Sequence, residues 1–337
     1  MKVASAQVSG HLATPDLVTA AVREALARAG LERAAALLLL LSRDFARHPQ
    51  PAILAAARTA GCLQVGGCTA HGVFTENGGQ LDQPAAAVMV FSEAPPGPTA
   101  PPLLSLAGGS TLPYAWRSGP ARVGLLGSES VCWSGGRISD DDQASLTLPA
   151  RHCTLARSSG LRRLGEAQAV TASLGFEVQS IAHGSAVDSL RRALPPELRD
   201  QPPLHHIVAL RSPDQPAIAI LSANADGSLS LTERLAPGEM LRWAIRQPLS
   251  AEQDMRDTLN AAVDGQNAPD FALMFSCIGR GPLFYGGDDR DLLAFRERFP
   301  GVPLLGAYGS GQIAPLTGSN LLFQNTVVTL LCESPHV

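Results

Sequence analysis

Short apolar runs alternate along the chain with polar stretches that carry glycine or proline. Leu37 to Leu41 and Phe271 to Phe275 are continuous and too short for ordinary helices, so they predict strands buried on both faces. Lys2 to Ser9, Ala85 to Phe91, Arg122 to Leu126, Ala144 to Leu148, Ala167 to Thr171 and Phe176 to Ile181 also read as strands. So do His206 to Arg211, Ala217 to Leu221, Leu229 to Leu235 and Leu241 to Ile245, which read as one meander. A helix opens at Thr14-Pro15-Asp16 and runs to Ala29, where Gly30 stops it. Further helices are expected over Gln50 to Thr59, ended by Gly61, and over Ala186 to Leu194 and Ala251 to Val263. Asp288 to Arg298 is polar with Leu292, Leu293, Phe295 and Phe299 on one side, and Pro300-Gly301 stops it. Glu93 to Pro102 has no periodic apolar face and reads as a long loop.

One order of elements occurs twice. A buried strand ending at Ser42 is followed by a helix, a short strand, the corner GCTAHGVF (Gly67 to Phe74) and the strand Ala85 to Phe91. A strand ending at Ser276 is followed by a helix, a short strand, GAYGSGQI (Gly306 to Ile313) and the strand Thr326 to Leu331. The corners align without a gap, pairing Gly67 with Gly306, Thr69 with Tyr308, His71 with Ser310 and Gly72 with Gly311. The expectation is an α+β fold of two similar lobes related by duplication, with mainly antiparallel or mixed sheets and flanking helices. A pseudo-twofold arrangement would leave a cleft between the lobes, where ligand sites commonly form.

Composition narrows the function classes. The chain has 337 residues, 45% hydrophobic and 17% charged, which is globular, and a net charge of −4 gives no basic footprint for nucleic acid. Lysine occurs once, at Lys2, and the other strong bases are arginine, a bias typical of GC-rich bacterial coding. Six scattered cysteines without a CxxC pair signal neither structural zinc nor a disulfide framework. The longest apolar run, Ala34 to Leu41, is far below the roughly 20 residues that cross a bilayer, and no signal-peptide stretch opens the chain. A cytoplasmic location with reduced cysteines and no membrane insertion is expected. Asp140-Asp141-Asp142 reads as a solvated hairpin tip, because the glycine and distal glutamate of a calcium loop are missing. There is no GxxxxGK[ST] loop, HExxH or GxSxG elbow, and Ala314-Pro315 after the second corner disfavours a helix N-terminus there.

The candidate site residues lie at the two corners and beside the strand Phe271 to Phe275. Gly67, Gly306 and Gly311 would let backbone approach a ligand, with Cys68, Thr69, His71, Tyr308 and Ser310 lining it. Cys277 reads either as a small buried hydrophobe or as a pocket thiol. Arg280, between two glycines, reads either as a partner of Asp288, Asp289 or a backbone carbonyl or as a clamp for a ligand carboxylate or phosphate. His71 and His183 are the candidates for an axial metal ligand.

FSCIGRG, the following helix, GAYGSGQIAP and LLFQNTVVTLL resemble the C-terminal half of the FIST sensory domain. LLLLLS and GCTAHGVF resemble its N-terminal half. Where the family pattern carries an acidic residue after the last glycine of each corner, this chain has Val73 and Gln312. The resemblance implies an N-terminal-like lobe over 1–164 and a C-terminal-like lobe over 165–337. It also implies a non-enzymatic bacterial sensory protein that binds a small ligand, an amino acid or similar carboxylate, and signals through a separate protein such as a histidine kinase. Two alternatives accompany it: a haem-based gas sensor with His71 or His183 on the iron, and an enzyme that uses Cys277.

Overall fold

The computed structural model describes residues 1–95, 102–263 and 268–334. Most of the loop expected over Glu93 to Pro102 lies outside the described residues. The chain forms two compact units. One combines Met1–Ser159 with Met255–Val337, and the other is Gly160–Asp254. The division expected at 164/165 therefore does not match these units: the first takes residues from both halves of the sequence, and the second is inserted into it.

The first stretch of the larger unit runs β1 (Val3–Ser9), α1 (Pro15–Ala29), β2 (Ala36–Ser42), α2 (Gln50–Ala60), β3 (Val65–Ala70), β4 (Gly72–Thr75), β5 (Gly78–Gln80) and β6 (Ala85–Phe91). It continues with β7 (Leu103–Gly108), β8 (Arg122–Gly127), β9 (Cys132–Ser134), β10 (Arg137–Ile138), β11 (Gln143–Leu146) and β12 (His152–Ser158). The inserted unit holds β13 (Leu161–Leu174), β14 (Glu177–Ile181), β15 (Gly184–Ser185), α3 (Ala186–Ala193), β16 (Ile207–Leu210), β17 (Ile218–Ala223), β18 (Leu229–Leu231) and β19 (Met240–Arg246). After it come α4 (Pro248–Ala262), β20 (Phe271–Cys277), α5 (Pro282–Tyr285), α6 (Arg290–Arg298), β21 (Leu304–Gly309), β22 (Gly311–Leu316), β23 (Ser319–Phe323) and β24 (Val327–Glu333).

Three sheets build the larger unit, in the orders β1-β6-β2-β3-β9-β10, β11-β7-β8-β22-β23 and β12-β24-β20-β21-β4-β5. The first and third share a pattern. In each, an antiparallel trio (β1-β6-β2, β12-β24-β20) is continued by a parallel strand (β3, β21). The α+β class is as expected, and the order β1-α1-β2-α2-β3 has a counterpart in β12-α4-β20-α6-β21.

Burial on both faces explains the apolar runs. In β2, Leu37, Leu39 and Leu41 pack under α1 and α2, while Leu38 and Leu40 enter the core shared by the sheets. In β20, Phe271, Leu273 and Phe275 enter that shared core, and Ala272 and Met274 pack with Leu259 and Phe295 of α4 and α6. Fully burying one such Leu or Phe side chain stabilises by roughly 1.5–3 kcal/mol. The helix stops are where the glycines predict them. Gly30 is left-handed and its N–H closes α1 on Leu26 and Ala27, and Gly61 caps α2 in the same way. Thr14 holds the N-cap position of α1, but its side chain makes no capping bond.

The inserted unit is a barrel. Its strands follow the order β13-β19-β16-β17-β18-β14, and β14 pairs back onto β13. The two strands expected at Ala167 to Thr171 and Phe176 to Ile181 are the long β13 and its hairpin partner β14. Gly175 has a φ of 62° in the turn between them, a conformation that glycine adopts without strain. Leu190 and Leu194 join Ile207, Leu229 and Trp243 in the barrel core.

Candidate functional site

The two corners meet in the larger unit. Each turns at one residue between two strands: His71 between β3 and β4, and Ser310 between β21 and β22. After the turn each chain changes sheet. β4 pairs with β21, placing Gly72 opposite Tyr308, and β22 pairs with β8, placing Gly311 opposite Leu126. The His71 backbone N–H donates to the Tyr308 carbonyl at 3.0 Å, and Ser310 N–H donates to Leu126 at 2.9 Å.

The glycines serve this crossing and are not open to a ligand. All three lie inside buried strands. A Cβ on Gly306 would sit 2.0 Å from the Phe74 ring, and one on Gly67 would sit 1.7 Å from the Leu39 carbonyl oxygen. Gly311 packs under Leu322 in the same manner. The expectation of ligand-cradling glycines is corrected accordingly: their missing side chains let neighbouring strands and rings close up.

Arg280 is likewise turned inward. It is 2% exposed in the short turn after β20, and Asp291 of α6 is 0% exposed. The guanidinium donates from Nε and Nη2 to the two Asp291 carboxylate oxygens at 3.0 and 2.8 Å. It also donates to the Ser158 carbonyl at 2.9 Å and to the Ser158 hydroxyl at 2.7 Å. The Tyr285 hydroxyl donates to Asp291 at 2.9 Å. Burial pushes the Asp291 carboxyl up to about 6, against the pull of Arg280. With its fork spent inside the fold, Arg280 is not the ligand clamp. Its partners are Asp291, not Asp288 or Asp289, and, as the carbonyl alternative expected, the backbone of Ser158.

Asp289 has two other tasks. One carboxylate oxygen accepts from the N–H groups of Asp291 and Leu292 and caps α6, and the other accepts from the Tyr308 hydroxyl. Burial raises the Tyr308 hydroxyl above its ordinary range, and the Asp289 carboxylate adds to the rise. Tyr308 is 0% exposed, so it backs the site wall and does not reach the solvent surface.

The remaining candidates separate. The Thr69 hydroxyl is buried and accepts from Val131 N–H at 3.0 Å. Cys68 is buried opposite Cys132. The Ser310 hydroxyl donates to the Leu126 carbonyl at 3.0 Å. Cys277 is 5% exposed, its Sγ lies 4.0 Å from the Ser310 carbonyl oxygen, and no histidine contacts it among the described residues. His183 is exposed at the turn between β14 and β15, in the inserted unit.

Two hollows of about 410 and 250 Å³ open on either side of His71 and Arg43, which line both. The larger is walled by Gln80, Leu81, Ile278, Pro282 and Leu283, with Tyr308 behind them. The smaller is walled by Arg47, Thr69, Ser128, Glu129 and Ser130. Arg43 and Arg47 are exposed, and their side chains have no hydrogen-bond or ion-pair partner among the described residues. Arg43 follows directly after β2, at the place in the repeated order that Ile278 holds after β20, and Arg47 lies one turn further on. Burial lowers the His71 imidazole below its ordinary range and Arg43 lowers it further, while the Tyr308 carbonyl and Glu129 pull the other way. His71 Nδ1 is buried without a hydrogen-bond partner. From sequence alone no chemistry attached to Arg43, which directly follows the strand ending at Ser42. Its alignment with the stretch holding Arg280 was the available signal.

An interlocked α+β unit with a pocket at its crossing strands, holding an inserted barrel, defines the class. The FIST C domain family, which is associated with sensory signal transduction, matches residues 186–315 of this chain. An uncharacterized protein of Mycobacterium tuberculosis (strain CDC 1551 / Oshkosh) is 25% identical over 189 residues, 52% of this chain and 49% of that protein. One of Mycobacterium bovis is 27% identical over 191 residues, with the same coverage. F-box only protein 22 of Pongo abelii is 42% identical over 77 residues, 22% of this chain and 18% of that protein. The matched region spans about half the length of the mycobacterial relatives. Among the described residues no helix is long and apolar enough to cross a membrane, and no cluster of three metal-ligating side chains occurs.

Proposed function

We propose that this protein is a sensory component that binds a small carboxylate-bearing ligand, an amino acid or a similar molecule, in the hollows beside His71. Arg43 takes the clamp role that Arg280 cannot fill. The observation that carries the reading is an unpaired guanidinium shared by two adjoining hollows, one of them with an apolar wall of Leu81, Ile278, Pro282 and Leu283. A planar guanidinium suits bidentate recognition of a carboxylate, and His71 beside it, kept neutral, offers a hydrogen bond without adding charge. The signal passes to a separate protein, for which a histidine kinase is the expected kind of partner.

The haem reading has less support. A porphyrin needs a broad apolar slot on both sides of an axial nitrogen. Here Arg43, Arg47, Asp82 and Glu129 surround His71, and His183 belongs to the other unit. The cysteine-enzyme reading has less support as well: Cys277 lines neither hollow, and among the described residues its Sγ has no hydrogen bond to a base.

A thermal-shift screen against amino acids, other small carboxylates and haemin tests the reading. A ligand at about 100 times its dissociation constant adds roughly 2.7 kcal/mol of stability. Arg43→Ala should then weaken the responding carboxylate by about 1.5–3 kcal/mol, the worth of a charge-assisted hydrogen bond. Unchanged affinity in Arg43→Ala removes this site from the proposal, and a shift with haemin alone overturns the ligand class.

A further inference from the structure

Four of the six cysteines stand in two directly opposed pairs on neighbouring antiparallel strands: Cys68 with Cys132, and Cys153 with Cys332. The two pairs differ in access. Cys68 and Cys132 are 2% and 0% exposed. Cys332 is also 0% exposed, but Cys153 is only partly buried, at the rim of the core that Cys332 joins. The Cys153 and Cys332 sulfurs lie 2.8 Å apart, and both are free thiols. The neighbouring residues hold the register. Arg151 N–H donates to the Glu333 carbonyl, and the Arg151 guanidinium pairs with the Glu333 carboxylate at 2.8 Å.

We propose that Cys153 and Cys332 are an oxidisable dithiol that a hydroperoxide converts to a disulfide joining β12 to β24. This goes beyond the ligand site and does not depend on it. The Cys153 thiolate, the accessible one, attacks a peroxide oxygen. The O–O bond breaks, hydroxide leaves and takes up a proton as water, and Cys153 becomes a sulfenic acid. The Cys332 sulfur, losing its proton, then attacks the Cys153 sulfur. The S–O bond breaks, the S–S bond forms and a second water leaves. Two thiols and one hydrogen peroxide yield one disulfide and two waters, with the peroxide reduced by two electrons. Disulfides of this kind inside a reducing compartment are usually transient and redox-sensing. Burial and the neighbouring Cys153 keep the Cys332 thiol well above its ordinary range, so the second step speeds up as pH rises.

The two strands are far apart in sequence and adjacent in the sheet. β12 ends at Ser158, which accepts from Arg280, and the chain leaves the larger unit after Ser159. The bond would therefore fasten the point where the barrel is inserted to the last strand of the third sheet. Cys62, part-exposed in the connection between α2 and β3, and Cys277, buried opposite Gly309, face no cysteine across a strand pair and serve as internal controls.

The experiment exposes the full chain to hydrogen peroxide under native conditions, alkylates the remaining thiols and maps the peptides by mass spectrometry. The expected product is a single cross-link between the peptides of Cys153 and Cys332, a loss of two mass units, reversible by dithiothreitol. It should form at least tenfold faster at pH 8.5 than at pH 6.5, and oxidation should raise the melting temperature. Cys153→Ser should give no cross-link while keeping the melting temperature of the reduced protein, and Cys62→Ser should leave the cross-link unchanged. The proposal is overturned if Cys153 is over-oxidised or stays reduced while no 153–332 cross-link forms. A cross-link that forms only after denaturation, or that pairs either cysteine with Cys62, overturns it as well.

Discussion

Replacing Asp291 by Asn removes one charge from a deeply buried ion pair while keeping the side-chain shape. Asp291 and Arg280 are 0% and 2% exposed, and two hydrogen bonds join them. Unit charges about 4 Å apart attract by roughly 4 kcal/mol at an effective dielectric constant near 20. Removing one partner also strands the other in the interior, and such losses run to about 3–5 kcal/mol. The Tyr285 hydroxyl and the two Ser158 contacts soften the loss only in part, because neither supplies a negative charge. Hydrogen exchange followed by mass spectrometry gives a readout confined to the larger unit. The slowest amides of β20 open with the unfolding of their own unit, so a loss of about 3–5 kcal/mol raises their exchange roughly 10²- to 5 × 10³-fold. Asp288→Asn, on an exposed neighbour, should leave it within about twofold. The double variant Arg280→Met/Asp291→Leu should recover much of the protection, since a buried pair exchanged for apolar groups is often neutral or better. A rise below tenfold in Asp291→Asn, or a double variant that opens further than either single one, would refute the reasoning.

Three further outcomes follow from the same geometry. By proton NMR, His71 should titrate below about 6.5, and Arg43→Ala should move its midpoint upward, because burial and Arg43 both disfavour the imidazolium. The sign for stability is that the unfolded chain binds this proton more readily. The His71 contribution therefore falls as pH drops below about 6.5, and a titration midpoint above that value contradicts the wall described here. Gly306→Ala should cost about 1–3 kcal/mol in urea denaturation, since its Cβ would meet Phe74 and the Met274 carbonyl at 2.0 to 2.6 Å, and a neutral effect would show that the strands can separate cheaply. Tyr308→Phe should destabilise by about 1.5–3 kcal/mol at pH 7 through loss of its bond to the Asp289 carboxylate, and chemical denaturation that finds no change would remove that bond from the account.

The strands that could be read from sequence were those whose residues are apolar on both faces, β2, β6 and β20. Their environment is uniform and needs no knowledge of the partner. Helix ends were legible for a similar reason, because Gly30 and Gly61 stop helices by local backbone conformation. The aligned corners also identified the two places where the chain turns between sheets. What the corners do was not legible. A glycine that admits a ligand and a glycine that admits Phe74 look alike until the neighbour is placed, and β4 and β21 are brought together only by the tertiary fold. Arg280 raised the same difficulty. Its partner had to be an acid on the following helix, and the choice among Asp288, Asp289 and Asp291 depended on helix phase: Asp289 caps α6, which turns Asp291 inward. Closure of β13 on β14 into a barrel depends on a bulge and a register that periodicity does not encode.

The exchange of hairpins between the two halves of the larger unit also sets an order of events on the ribosome. The β4–β5 hairpin is made early, yet the strand it joins, Leu304–Gly309, is among the last to emerge. At about 5–20 residues per second the hairpin waits roughly 10–50 s with one edge unpaired. During that time the barrel, whose strands all come from one contiguous segment, can close by itself. The nascent chain thus carries a finished domain on an unfinished one, and it is the unfinished one, with its long-range pairing still to come, that a chaperone would have to shield.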